Sequence, residues 1–215
     1  MYTEVAIILA RHGWISVVID PPCHGEDARS GEPAQLEGWR YRLEHDHDFV
    51  SAFTAKARAI LDALIKSGLT DPERVAVCGT SRGGFLAFHF AASDPRIKAA
   101  TAISPVTKLT ALREFSTTSQ RAKVEQLDVA RLAPQLAGRA IWLSIGNNDA
   151  RVNTDNSIAF TREVVRATAR PDMPDMVIPV DLLVAPTPGH SKIDQAHELL
   201  AAWLIKRFPP EKATR

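Results

Sequence analysis

The sequence predicts an α/β fold, a mostly parallel sheet with helices on both faces. Apolar runs of strand length alternate along the chain with longer stretches of helical period. Most of these runs end at Gly, Pro or Asp, and neither an internal repeat nor a low-complexity tract interrupts the alternation. At 215 residues the chain is expected to form a single domain over 1–215, with a small irregular insertion at about 105–138.

The elements follow in order. "YTEVAIILARHG" carries Val5, Ile8 and Leu9 at helical spacing and stops at Gly13. "WISVVID", Trp14 to Asp20, reads as a buried strand ended by Pro21-Pro22, and "PPCHGEDARSGEPAQLEG" as a loop. A long helix is expected from about Asp46 to Ser67, with Phe49, Phe53, Leu61 and Leu64 on one face. Strand Arg74–Cys78, the helix "FLAFHFAAS" and strand Ile97–Ser104 come next. After the insertion, strand Ala140–Gly146, the amphipathic helix "NTDNSIAFTREVVRATA", strand Val180–Pro186 and the helix "DQAHELLAAWLIKRF" complete the pattern.

Composition excludes several classes of function. Apolar residues make up 45% and charged residues 24%, and the formal net charge is +1 with both signs interspersed. No basic stripe offers itself to nucleic acid or to an anionic membrane surface, so neither partner is expected. "VAIILA" is short and lacks a basic start, unlike a secretory signal, and no run approaches the roughly 20 apolar residues of a membrane span. Two cysteines, Cys23 and Cys78, are too few for a disulfide framework; a reducing cytoplasm is the expected location.

The chemistry is carried by "VAVCGTSRGG", which sets Gly-x-Ser-x-Gly between a strand and a helix. In that setting Ser81 occupies a sharp strand-to-helix turn at the C-terminal edge of the sheet, with Gly79 and Gly83 expected where side chains would collide. The backbone amide of Arg82, opening the helix, is the expected oxyanion donor. A serine hydroxyl is a weak nucleophile at neutral pH and needs a base, itself oriented by a carboxylate. "SIGNNDARV" puts Asp149 after one strand and "APTPGHSKID" puts His190 after the next. Parallel strands end on one edge, so Ser81, Asp149 and His190 are expected to converge there.

With "GTSRGG", "GNNDARV" and "GH" in this order, and with "IDPPCHGE" similar to the loop after the family's fourth strand, the chain resembles the α/β-hydrolases from its first helix to its C-terminus. "ISPVTKLTALREF" is similar to small serine hydrolases related to prolyl oligopeptidase and to acyl-ester hydrolases. The resemblance implies a serine hydrolase that cleaves a carboxylic ester or related small acyl substrate through an acyl-enzyme, with no cofactor and no metal. A peptidase of the prolyl oligopeptidase type and a non-catalytic binding protein on the same scaffold are the alternatives. The family's cysteine-nucleophile variant is disfavoured by serine at position 81.

Other residues compete for these roles. Asp155, Asp181 and Asp194 are rivals to Asp149, but they lie inside a helix, at a strand start and past the histidine. His197, in "DQAHELL", reads as a helix-surface residue. His24 is a candidate for lining the substrate pocket and otherwise a loop histidine. "HDHD", His45 to Asp48, has ligand-type residues, yet consecutive positions point around a helix, and Asp at a helix start is explained by the dipole. Cys78 reads as a small core residue, and Trp39, Tyr41 and Phe115 as core or lid, with substrate contact the alternative.

The resemblance also implies early strands, and a loop after the third that supplies a second oxyanion donor. Neither is found before Glu4. In family order the third strand lies between "WISVVID" and "RVAVC", so a gap is expected beside a central strand. It is expected to be closed by those two strands pairing, by another chain, or by upstream residues of a longer natural protein, the last being favoured.

Overall fold

The computed structural model describes residues 3–209. Strands β1 (Val75–Thr80), β2 (Ile97–Ile103), β3 (Ala140–Gly146) and β4 (Val180–Ala185) form one four-stranded sheet in that spatial order. Every pair is parallel, with Val75 opposite Ile97, Ala99 opposite Ala140 and Ile141 opposite Val180. Among the described residues eight α-helices accompany it: α1 (Glu4–Ala10), α2 (Gln35–Glu44), α3 (Phe49–Lys66), α4 (Arg82–Ser93), α5 (Arg121–Gln126), α6 (Ala133–Leu136), α7 (Thr154–Thr168) and α8 (Ala196–Arg207). Among the described residues no helix is long and apolar enough to cross a membrane.

The alternation of side chains along each strand divides the core into two. Ala99 and Ile103 of β2 and Ala140 and Trp142 of β3 face α1 and α8, meeting Leu9, Leu200 and Leu204. Ala100, Ala102, Ile141, Leu143 and Ile145 face the other way, onto α4 and α7 with Phe85, Phe88, Phe160 and Val164. Both inner strands are therefore covered on both faces, which is why β3 is buried at every position. Asp48 caps α3 by accepting the Ser51 amide at 2.9 Å.

Two segments differ from what the sequence predicts. The predicted loop up to Gly38 gives way to helix α2 from Gln35. Its apolar residues Leu36, Trp39 and Leu43 recur at helical spacing and are buried, and Gly38 is required because a Cβ would lie 2.2 Å from Pro33 O and 2.7 Å from Cys23 Sγ. "WISVVID" forms no strand and enters no ladder, and Ile15 and Val18 are 54% and 63% exposed. It does not close on β1. A groove of about 1190 Å³ separates the two, bounded by Trp14–Asp20, β1 and α3 and reaching Ser81, Arg82 and His190. β1 is consequently the edge of the sheet, and the Cys78 thiol faces this groove instead of sitting in the core. Its surroundings are confined all the same, and burial pushes its pKa up.

Candidate active site

The loops after β1, β3 and β4 meet at the C-terminal edge of the sheet. Ser81 sits between β1 and α4 at φ 52°, ψ −115°, a conformation a residue with a side chain adopts only under constraint. The constraint is visible: the Ser81 amide donates to Ile103 O at 2.9 Å, and Ser81 O accepts from Gly84 and Val106, each at 3.0 Å. The two ends of the turn close on each other at Gly79, where a Cβ would lie 2.1 Å from Gly83 C. Gly83 itself has open space, contrary to the expectation that both glycines avoid a clash. The second tight approach is at Gly84, whose Cβ would meet Pro105 Cβ at 2.8 Å and Ala102 Cβ at 3.0 Å.

Asp149, Ser81 and His190 are brought together. The Ser81 hydroxyl lies 3.0 Å from His190 Nε2, and His190 Nδ1 lies 2.7 Å from Asp149 Oδ2. Partners assign the tautomer: Nδ1–H donates to the carboxylate, leaving the Nε2 lone pair for the serine proton. Asp149 is 2% exposed, and its other oxygen accepts the amides of Arg151 at 2.9 Å and Val152 at 3.1 Å. Thr154 ties this loop to the strand, donating its hydroxyl to Gly146 O at 2.6 Å and accepting the Asp149 amide at 3.1 Å. Such an arrangement can move a proton from Ser81 to His190 while a fixed negative charge stabilises the imidazolium.

Rival residues lie elsewhere. Asp155 is in the first turn of α7, and Asp181 accepts the Trp203 indole at 2.7 Å. Asp194 accepts the Gln195 amide at 3.0 Å. His197 is buried and paired with Glu4, with Lys192 Nζ at 3.2 Å, so it is not the surface residue expected of its helix. Trp39 and Phe115 are core. Tyr41 stacks on His45.

His24 lines the groove with Ser81 and Arg82. Its Nδ1–H donates to Pro22 O at 2.7 Å, and burial lowers its pKa, so the ring is neutral near pH 7. The loop holding it is over-determined. Cys23, at φ 60°, donates its amide to Asp27 Oδ2, while Trp39 Nε1 donates to Pro22 O at 2.7 Å. Buried Arg42 donates to Asp27 Oδ2 at 2.6 Å and to Glu32 Oε2 at 2.8 Å. Burial pushes Asp27 upward, but the Cys23 amide and Arg42 outweigh it and hold the carboxyl below its ordinary range.

Two supporting features had no signal in the sequence. Arg151 grips Glu114 with two bonds at 2.8 and 2.6 Å, clamping the Asp149 loop to the insertion and keeping the Glu114 carboxyl low. Thr154 is invisible as a support because a threonine at a helix start reads as ordinary helix punctuation. As for the oxyanion, no described residue accepts the Arg82 amide, which opens α4 beside Ser81.

The chain is similar to several known proteins. The polyketide transferase grgF of a Penicillium species is 26% identical over 172 residues, 80% of this chain and 52% of that protein. A puromycin-hydrolyzing peptidase of Mycobacterium tuberculosis superposes with a TM-score of 0.60 at 21% identity, over 72% of this chain and 25% of that one. Dipeptidyl peptidase 4 of Porphyromonas gingivalis does so at 0.59 and 21%, over 72% and 22%. The chain thus spans about half the curated relative and about a quarter of the solved proteins. At this identity the structural likeness establishes the α/β-hydrolase fold. Residues 54–208, from within α3 through the whole of α8, match the prolyl oligopeptidase family, and the chain therefore belongs to that family of serine hydrolases.

Proposed function

We propose that the chain is a serine acyl hydrolase that cleaves a carboxylic ester of a small acid through an acyl-enzyme on Ser81. The observation that carries this reading is the unbroken hydrogen-bond chain from Ser81 Oγ through His190 to Asp149, at 3.0 and 2.7 Å. His190 Nε2 takes the hydroxyl proton as Ser81 Oγ forms its bond to the carbonyl carbon. The electron pair displaced onto the carbonyl oxygen is met by the Arg82 amide. Collapse expels the leaving oxygen, which takes the proton from His190, and water then repeats the sequence to free the acid and restore Ser81. Asp149 keeps its charge throughout and holds the imidazole in the productive tautomer.

Peptide-bond cleavage is the second reading, favoured by family membership and by the peptidases among the structural neighbours. An amide is the harder substrate of the two, because its nitrogen must be protonated before it leaves. The free thiols of Cys23 and Cys78 support a cytoplasmic location. The test compares 4-nitrophenyl butyrate with peptide 4-nitroanilides, using the parent and Ser81→Ala. Turnover of the ester, abolished in the variant, is expected. Residual activity within about tenfold of the parent would overturn the role of Ser81, since members of such a triad act as a unit. Preference for the anilides would transfer the assignment to the peptidase reading.

A further inference from the structure

The cations that line the groove are accounted for, with one exception. Arg151 is spent on Glu114, and Arg74 donates to Phe208 O and Pro209 O at 3.0 and 2.6 Å. Arg82 forms no ion pair among the described residues; its side chain has a single long contact, Nη1 to Gln35 Oε1 at 3.4 Å. The carboxylate on the same bank, Asp20, accepts the Glu26 amide at 3.2 Å and does not pair with it. His24, donating to Pro22 O and neutral, offers no negative charge.

Topology places this free guanidinium on a definite side of Ser81. His190, which must reach the leaving oxygen, arrives from β4, across β2 and β3 from the nucleophile. Arg82 Nη1 reaches to Gln35 at the start of α2, the helix whose Leu36 lines the groove and which packs against α3. The leaving group belongs to the imidazole side, so the guanidinium overlooks the acyl side. A planar fork of N–H donors with no ion-pair partner among the described residues matches a carboxylate in both shape and charge.

We propose that Arg82 determines specificity by binding a carboxylate on the acyl portion of the substrate, so that the preferred substrates are half-esters of dicarboxylic acids. This rests on the acyl-hydrolase reading for its catalytic meaning, but the subsite can be tested without turnover. In Ser81→Ala protein, NMR titration compares monomethyl glutarate with methyl butyrate, a probe of similar length lacking the charge. The anionic ester should bind about tenfold or more tightly than the neutral one, the effect of a charge-assisted hydrogen bond. Adding Arg82→Gln should abolish the preference, adding Arg82→Lys should restore part of it, and salt should weaken it. Equal binding of the two probes, or a preference that survives Arg82→Gln, would overturn the proposal. In the parent, the ratio of kcat/KM for 4-nitrophenyl hemiglutarate over 4-nitrophenyl butyrate should fall by a similar factor in Arg82→Gln. A binding preference lost with Arg82→Gln, alongside no hydrolysis of either ester by the parent, would uphold the subsite and overturn the hydrolase reading instead.

Discussion

The two banks of the candidate site are held by different means. On the Asp149–His190 bank, β3 is paired on both edges and buried at every position, and each oxygen of the Asp149 carboxylate has a donor. On the other bank β1 is a sheet edge, and the adjacent segment 14–20 forms no strand and leaves Ile15, Val17 and Val18 exposed. Ser81 is nonetheless placed sharply, because its turn is fixed from behind by Ile103, Gly84 and Val106. Precision at the nucleophile thus comes from the inward side of β1 and owes nothing to its outer edge.

The largest effect that would break this comparison is expected on the acid bank. Asp149→Asn keeps the shape but offers His190 Nδ1 an amide, favouring the wrong tautomer, and ester turnover should fall about 10⁴-fold. A loss of only a few-fold would mean that the buried carboxylate has no part in orienting the imidazole. Next in size is the difference in stability across the sheet. Leu143→Ala, in β3, should cost about 2–5 kcal/mol by chemical denaturation. Val18→Ala, on the open segment, should change stability by less than about 0.5 kcal/mol. Equal losses would show that segment 14–20 is as firmly packed as β3.

A third prediction concerns pH. His89, buried on α4 and bonded through Nε2 to Leu127 O at 3.0 Å, has its pKa lowered by burial from 6.5 to about 4. The unfolded chain therefore binds a proton that the folded one refuses between those values. The resulting stability is fully present above pH 6.5 and is lost as pH falls toward 4, on the order of 3 kcal/mol. Glu114 and Asp94, held low chiefly by Arg151 and Arg96, lose stability in the same direction at lower pH. The informative quantity is hence the difference from His89→Gln, whose stability curve should be flatter over pH 4–6.5. Parallel curves for the two proteins would refute the assignment to His89.

What the sequence made legible follows the same division. β2, β3 and β4 were readable because short runs rich in β-branched and other apolar residues, closed by turn residues, have few other uses, and the order Ser81, Asp149, His190 then placed the site. "WISVVID" has the same composition as those strands, but a strand requires a neighbour, and no local pattern reports whether one is present. Helix α2 was obscured by Pro33 and Gly38, although the glycine serves the close approach of Pro33 O and Cys23 and does not end a helix. Cys78 was misplaced because burial was inferred from apolar neighbours along the chain, whereas its exposure depends on the open edge of β1. The Arg151–Glu114 and Arg42–Asp27 pairs join residues 37 and 15 positions apart, a separation that carries no periodic signal.

Hydrolysis at this site requires Ser81 to be an activated nucleophile, and the most direct measurement is labelling with a fluorophosphonate followed by peptide mass mapping. The parent should be modified at Ser81 alone, while Ser81→Ala and His190→Ala remain unlabelled because one lacks the attacking oxygen and the other the base that takes its proton. Absence of label on the folded parent, or equal labelling after His190→Ala, would contradict it.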